Sequence, residues 1–208
     1  MLRICRARDI KSTIKYTNHG CTRQANNPQD IAGNLLNREF HADKPNGKWL
    51  TDVEFLWYEG IERHKIYLSA ILDLCDRRIV LFVIRDSNDT PLVYDTFDAA
   101  VAANPDAHPL FHSDRGFQYT NRVFFSKLEA AGMIQSMSRV AKCIDNGSME
   151  GFWKILKRER YYARRFTDRK SLVKMIEDYI EYYNSRRLQR NLGILTPMEK
   201  HEKYLLVA

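Results

Sequence analysis

Hydrophobic and polar positions follow little periodicity before Trp49 and a strong one after it. Trp49 to Leu56 alternates as a half-buried strand does, and Glu59-Gly60 marks a turn. Ile66 to Leu74 and Ile79 to Ile84 are near-continuous apolar runs on either side of Cys75-Asp76-Arg77-Arg78, which predicts two antiparallel strands buried on both faces. Thr90 is placed to cap a helix with Pro91 at its first position, carrying Leu92, Val93, Phe97, Ala100 and Val101 inward until Pro105. A fourth strand runs from Pro109 to Ser113, a helix capped near Thr120 closes at Gly132, and Ile134 to Ser138 supplies a fifth strand. Asp145-Asn146-Gly147 offers cap residues for a helix through Glu150 to about Arg160, and a further helix follows from Thr167, with Leu172, Met175, Ile176, Tyr179, Ile180 and Tyr183 on one face.

Three strands, helix, strand, helix, strand, helix is the order of an α/β domain, a mixed five-stranded sheet flanked by helices. Polar residues 1–48, with turn signals at Asn26-Asn27-Pro28 and Lys44-Pro45-Asn46-Gly47, read as an arm leading into a core over 49–166, with 167–208 a C-terminal helical extension.

Charge changes this picture more than overall composition does. The net charge of +7 is distributed unevenly: residues 1–48 hold nine Lys/Arg against four Asp/Glu, residues 49–149 ten against fourteen, and residues 150–208 fourteen against eight. Basic flanks suit a polyanionic partner, because neutralising phosphates releases condensed counterions. The acidic middle fits either carboxylates that bind metal ions or an ordinary solvated surface. No apolar stretch is long enough for a membrane span, and Met1-Leu2-Arg3 followed by Arg6 and Arg8 is not a secretory start, so a cytoplasmic protein with no membrane partner is expected. Cys5, Cys21, Cys75 and Cys143 are scattered and read as reduced thiols.

Three acids stand on separate predicted elements: Asp52 within the first strand, Asp114 just after the fourth, and Glu150 in the first turn of a helix, with 35 residues between the last two. On a helix at about 100° per residue, Lys154 and Lys157 share the face of Glu150, while Phe152, Ile155 and Leu156 lie opposite. Glu54, Asp73, Asp76 and Asp145 are rival acids, read respectively as a strand-face acid, two turn acids and a helix cap. Tyr161, Tyr162, Tyr179, Tyr182 and Tyr183 recur mostly at helical spacing and are assigned to packing rather than base stacking.

With Asp52, Asp114 and the 35-residue gap to Glu150 stand Trp49-Leu50-Thr51-Asp52, Leu72-Asp73-Leu74, Arg77-Arg78-Ile79-Val80, His112-Ser113-Asp114-Arg115-Gly116 and Gln118-Tyr119-Thr120. Gln135 to Arg139, Asp145-Asn146, Met149-Glu150, Leu156-Lys157-Arg158-Glu159, Tyr182-Tyr183-Asn184 with Arg186-Arg187, and Leu195-Thr196-Pro197 complete the series. In these residues the chain resembles the integrase-like cores of insertion-sequence transposases and retroviral integrases, most closely the larger subunit of elements with two overlapping reading frames.

The resemblance implies a ribonuclease-H-like fold and a metal-dependent polynucleotidyl transferase that cuts and joins DNA at the terminal repeats of its element. It implies Asp52, Asp114 and Glu150 as catalytic residues holding two Mg²⁺ ions, with Mn²⁺ able to substitute. DNA contacts are expected at Lys154, Lys157, Arg158, Arg115 and Arg139, and supporting roles at His112, which would orient Asp114 or simply pack, and at Asn146. Expected partners are transposon-end and target DNA in the nucleoid, further copies of the chain, and a smaller subunit from an upstream frame. Ala141 and Ser148 depart from the residues common at their positions, Gly and Pro. Relatives carry further helices ahead of this point, so the start at Met1 reads as a truncated or internally initiated copy. Two alternatives remain open: a catalytically silent DNA-binding remnant, and a ribonuclease-H-like nuclease acting on RNA–DNA hybrids.

Overall fold

The structure, a computed structural model, describes residues 30–140, 142–162 and 164–206; most of the arm expected over 1–48 lies outside them. Strand β1 covers Lys48–Glu59, β2 Arg63–Asp73 and β3 Ile79–Arg85, followed by helix α1 over Thr90–Ala103 and strand β4 over Leu110–Ser113. Helix α2 spans Arg122–Ala130, β5 Ile134–Met137, and a short 3₁₀ turn at Cys143–Asn146 leads into α3, Gly147–Leu156. Helices α4, Arg169–Ser185, and α5, Pro197–Leu205, complete the chain.

The five strands form one mixed sheet in the order β3-β2-β1-β4-β5. Two antiparallel pairings join β1, β2 and β3, and two parallel ones join β1, β4 and β5. Alternation along the central strands divides the apolar side chains between two faces. Leu50, Leu56, Leu68, Ala70 and Leu72 pack beneath α3 and α4 with Met149, Phe152, Trp153, Leu156, Leu172 and Ile176. Trp49, Ile71 and Phe111 face the other way, against Val93, Phe97 and Ala100 of α1 and Phe124 and Leu128 of α2. There Phe97, Phe111, Tyr119 and Phe124 meet at ring separations of 5.4–5.8 Å, in edge-on and tilted contacts.

Several boundaries differ from the sequence expectation, each for a local reason. Asp89, not Thr90, caps α1, because its carboxylate accepts from the Leu92 N–H; Asn121, not Thr120, caps α2 by accepting from Phe124. Asp168 caps α4 in the same way through the Ser171 N–H, so that helix starts two residues after Thr167. Strand β3 is at the sheet edge, and after Ile79 its residues are only half-buried rather than covered on both faces. Helix α3 stops being an α-helix at Leu156: Lys157–Tyr161 opens into a π turn in which the Tyr162 N–H bonds the Lys157 carbonyl five residues back. The 100° spacing therefore does not carry as far as Lys157. Gly132, at φ 67°, takes the left-handed conformation after α2 and brings the Met133 N–H onto the Leu128 carbonyl.

Asn184 near the end of α4 substitutes for a missing strand partner, donating to the Ile79 carbonyl (3.0 Å) while accepting from the Ile79 N–H (2.8 Å). Replacing it by leucine strands both backbone groups at the start of the edge strand. Asn184→Leu is expected to lower unfolding stability by about 2 kcal/mol, read as a shift of the urea midpoint.

Candidate active site

The parallel pairing of β1 with β4 covers only Lys48–Leu50 against Leu110–His112. Carrying that register two residues further sets Asp52 level with Asp114, at the point where the strands separate. This is also where the connection order of the sheet reverses, the crevice in which open α/β sheets hold ligands.

Asp52 Oδ1 accepts from the Val53 N–H (2.8 Å) and Oδ2 from the Trp153 indole N–H (3.1 Å). Its pKa is driven well above the ordinary carboxylate range, first by burial and then by the negative charges of Asp114 and Glu54. Asp114 Oδ1 accepts from the Gly116 N–H at 2.8 Å. A β-carbon on Gly116 would lie 3.0 Å from that same oxygen, so a larger residue there would press on the Asp114 carboxylate. Below the pair, the Tyr119 hydroxyl meets Thr51 Oγ1 at 3.2 Å; burial and the two aspartates push its pKa up and keep it neutral.

Glu150 lies in the first turn of α3, as expected, with Lys154 Nζ at 3.3 Å from its carboxylate. Trp153, one turn along the helix, links α3 to Asp52 directly. Among the described residues, no three acidic, histidine or cysteine side chains are close enough together to hold an ion. The structure thus gathers Asp52 with Asp114 and leaves Glu150 on the adjoining helix, paired with Lys154. Ala141, in the loop before α3, lies outside the described residues.

The helix entry is held by a buried carboxylate. Asp145 accepts from Arg139 through Nε (2.8 Å), Nη2 (2.9 Å) and the backbone N–H, and also from Arg38 Nε (2.7 Å) and Asn34 Nδ2 (2.9 Å). Its pKa falls far below the carboxylate range, chiefly through the Arg139 hydrogen bonds. Asp145 is therefore not a helix cap, and Asn146, which takes the cap position, makes no capping bond but donates Nδ2 to the Thr51 carbonyl at 3.0 Å, tying α3 to the strand of Asp52. Ser148 receives Arg77 Nη1 at 2.7 Å.

The remaining candidates spread around this centre. Lys157 pairs with Glu54, Arg115 donates to the Ser138 carbonyl, and Arg158 is exposed. His112 is fully buried between Ser136 Oγ (2.8 Å) and Ser138 Oγ (3.1 Å). Ser136 Oγ already accepts from the Leu35 and Leu36 N–H groups, so its own proton goes to His112 Nδ1 and leaves Nε2–H to donate to Ser138. Burial lowers the His112 pKa to about 4, so the ring is neutral near pH 7. Sequence reasoning passed over Trp153, although its three-residue spacing from Glu150 was the available signal. Tyr119 stood among the residues of the resemblance without a role, and nothing in the sequence marked Arg38 for its place.

An integrase core domain family matches residues 42–143, and a second integrase core domain family matches residues 150–205. A transposase-like protein of Haemophilus influenzae (strain ATCC 51907 / DSM 11121 / KW20 / Rd) is 41% identical over 169 residues, which cover 81% of this chain and 76% of that one. The chain belongs to the integrase-core transposases of bacterial insertion sequences. It is also 38% identical over 177 residues to InsK of insertion sequence element IS150 of Escherichia coli (strain K12), a protein named as a transposase; the match covers 84% of this chain but 61% of InsK. Among solved structures, the catalytic core of HTLV-2 integrase in complex with magnesium superposes with a TM-score of 0.56 at 16% identity, over 76% of this chain and 98% of that one. A simian T-cell lymphotropic virus intasome in complex with a PP2A regulatory subunit gives 0.66 at 16% identity, over 88% and 62%. The fold of this transposase-family chain is accordingly ribonuclease-H-like. Among the described residues, no helix is long and apolar enough to cross a membrane.

Two predictions follow opposite signs. Asp52 has its folded-state pKa raised above the unfolded value of about 3.9, so its ionisation costs stability as pH rises through the raised pKa; below the unfolded value that cost is absent. In a chelator at pH 7, Asp52→Asn should raise Tm by a few degrees and flatten its decline with pH. Asp145 has its pKa depressed, so its contribution is present above about pH 4 and is lost as pH falls towards the folded-state value. Asp145→Ala should cost about 2 kcal/mol at pH 7, less than a fully buried pair because both arginines are half exposed, and show a weaker acid dependence in denaturant titrations.

Proposed function

We propose that this chain is the catalytic part of a DNA transposase, carrying out divalent-metal-dependent strand cleavage and strand transfer at the ends of an insertion sequence. The observation that carries this reading is the pair of mutually repelling carboxylates, Asp52 and Asp114, at the point where β4 ends beside β1. Two acids forced together in a half-buried notch need either protons or cations. Hard oxygen donors of this kind fit Mg²⁺, and the two N–H donors to Asp52 leave further lone pairs on its carboxylate for it.

Asp52 and Asp114, completed by Glu150 from α3, would hold the ions, two of Mg²⁺ with Mn²⁺ as a substitute. When bound, such ions supply the positive charge that stabilises the attacking and leaving oxygens of phosphodiester displacement. The Trp153 indole N–H and the Gly116 N–H orient the two aspartates. Asn146 fixes the start of α3 to β1, and so the distance from which Glu150 approaches. His112, neutral and enclosed by serines, positions β4 against β5 and is not the general base. Lys154, Lys157, Arg158 and Arg115 surround the centre and are assigned to phosphate contact, Lys157 after release from Glu54. Arg139 serves first as the partner of Asp145.

The matched region spans 61% of the length of InsK, and within this chain we assign the residues to an arm at 1–48, a core at 49–166 and a helical extension at 167–208. The magnesium of the HTLV-2 core and the multimeric assemblies of the integrase neighbours support a metal-dependent, homo-oligomeric reading. A smaller subunit from an upstream frame and association with the nucleoid belong to the same proposal.

Incubation with Mg²⁺ and duplex DNA bearing the element's ends should give nicked and joined products on a sequencing gel. Asp52→Asn, Asp114→Asn and Glu150→Gln should each reduce the rate at least about 10³-fold, the size of losing a principal electrostatic contribution. Cleavage that persists in all three variants, or that appears only on RNA–DNA hybrids, rejects the assignment.

A further inference from the structure

Beyond Leu50, β1 has no strand on its β4 side, and the segment after α3 lies along that open edge instead. The Tyr161 hydroxyl accepts from the Trp57 N–H (2.9 Å) and donates to the Trp57 carbonyl (3.0 Å), while the Glu59 N–H donates to the Phe166 carbonyl at 2.8 Å. This stitching creates a cleft of about 260 Å³ between the β1–β2 hairpin and the chain after α3. It is lined by Trp57 and Tyr161 and by Arg63, Arg164 and Arg165, with one acid, Glu59, among them.

Two of the three cations, Arg63 and Arg165, have fixed partners. The Arg63 guanidinium lies 4.3 Å from the centroid of the Trp57 ring and 4.0 Å from Glu59, and Arg165 pairs with Glu59 at 3.0 Å. Both remain mostly solvent-accessible, at 59% and 80%, and Arg164 has no carboxylate partner among the described residues. Three guanidiniums against one carboxylate leave a local excess of two positive charges. Lys154, Lys157 and Arg139, closer to the carboxylates, each have an acid of their own, whereas the cleft sets three guanidiniums around Glu59.

We propose that this cleft is a second DNA contact, a backbone-phosphate clamp that seats the strand leading away from the Asp52–Asp114 centre. It rests on the reading that the chain acts on DNA, and adds where that DNA lies. Trp57 lies five positions beyond Asp52 along β1, about 17 Å at strand spacing and on the opposite face of the sheet; that distance is the rise of about five nucleotides of duplex, crossing the open edge of β1 between the two sites. A planar guanidinium fork matches phosphate oxygens, and an incoming phosphate takes the place of Glu59 as partner to Arg63 and Arg165. Charge complementarity with a polyanion, and continuity with the carboxylate notch along one strand edge, choose DNA over a second copy of this chain.

The test uses the 208-residue protein, a fluorescein-labelled 30-base-pair duplex and anisotropy titrations at several salt concentrations. The combined Arg63→Ala, Arg164→Ala, Arg165→Ala variant should bind about tenfold more weakly at 50 mM salt, with the slope of log affinity against log salt reduced by two to three, as expected at about 0.9 per lost phosphate contact. A charge-matched control at exposed lysines elsewhere, Lys44→Ala, Lys170→Ala, Lys203→Ala, should change neither. Glu59→Gln should tighten binding severalfold, which a misfolded variant would not do. Equal losses in both triple variants mean undirected charge attraction and overturn the clamp. Unchanged binding in the cleft variant overturns it too, while leaving the DNA reading intact. Absence of binding by the unsubstituted protein removes both, and is seen before any variant is measured.

Discussion

Two carboxylates that would repel each other in water are kept together in a half-buried notch, and the surrounding structure is organised around bearing that cost. Asp52 and Asp114 are carried by neighbouring parallel strands, which fixes their separation through backbone hydrogen bonds rather than through flexible side chains. Each receives a donor to one oxygen from a rigid source, an indole on a packed helix or a backbone amide in a glycine turn. Such donors lessen the repulsion without removing it.

The two faces of the sheet divide the labour. On one side the aromatic group around Phe111 and Phe124 anchors β4, the strand that ends at Asp114. On the other, Met149, Phe152, Trp153 and Leu156 lay α3, with Glu150 in its first turn, across β1. Polar links then set the fine geometry: Asn146 ties α3 to Thr51, and buried Asp145 draws Arg139 and Arg38 together over the helix entry. A charge buried in this way is costly to leave unpaired, which makes the network a specifier of one arrangement rather than a general source of stability.

The opening of α3 into a π turn has a consequence for charge. It ends the regular face on which Glu150 and Lys154 sit and directs Lys157 to Glu54, while the chain that follows brings Arg164 and Arg165 against the β1–β2 hairpin. Basic residues adjacent in the sequence thus serve two separate parts of the surface, one beside the carboxylates and one farther along β1.

Much of this protein was legible in its sequence, because local patterns have local causes. Alternation at Trp49–Leu56 and the apolar run at Ile66 report strand burial directly, whereas the run at Ile79 marked a strand but not its half-buried place at the sheet edge. The 35-residue spacing, with the residues around each acid, identified the resemblance before any contact was known. Boundaries moved by one or two residues where neighbouring side chains competed to cap, as with Asp89 beside Thr90 and Asn121 beside Thr120. Long-range partnership was the part that only the tertiary structure decided. That Asp145 meets Arg38 at a separation of 107 residues, that Trp153 meets Asp52 at 101, and that Arg63 and Arg165 share Glu59 depend on how helices settle on a twisted sheet. Chain order alone does not encode that packing, since an ionic or hydrogen-bond pair is chosen by which side chains the core brings within about 3 Å.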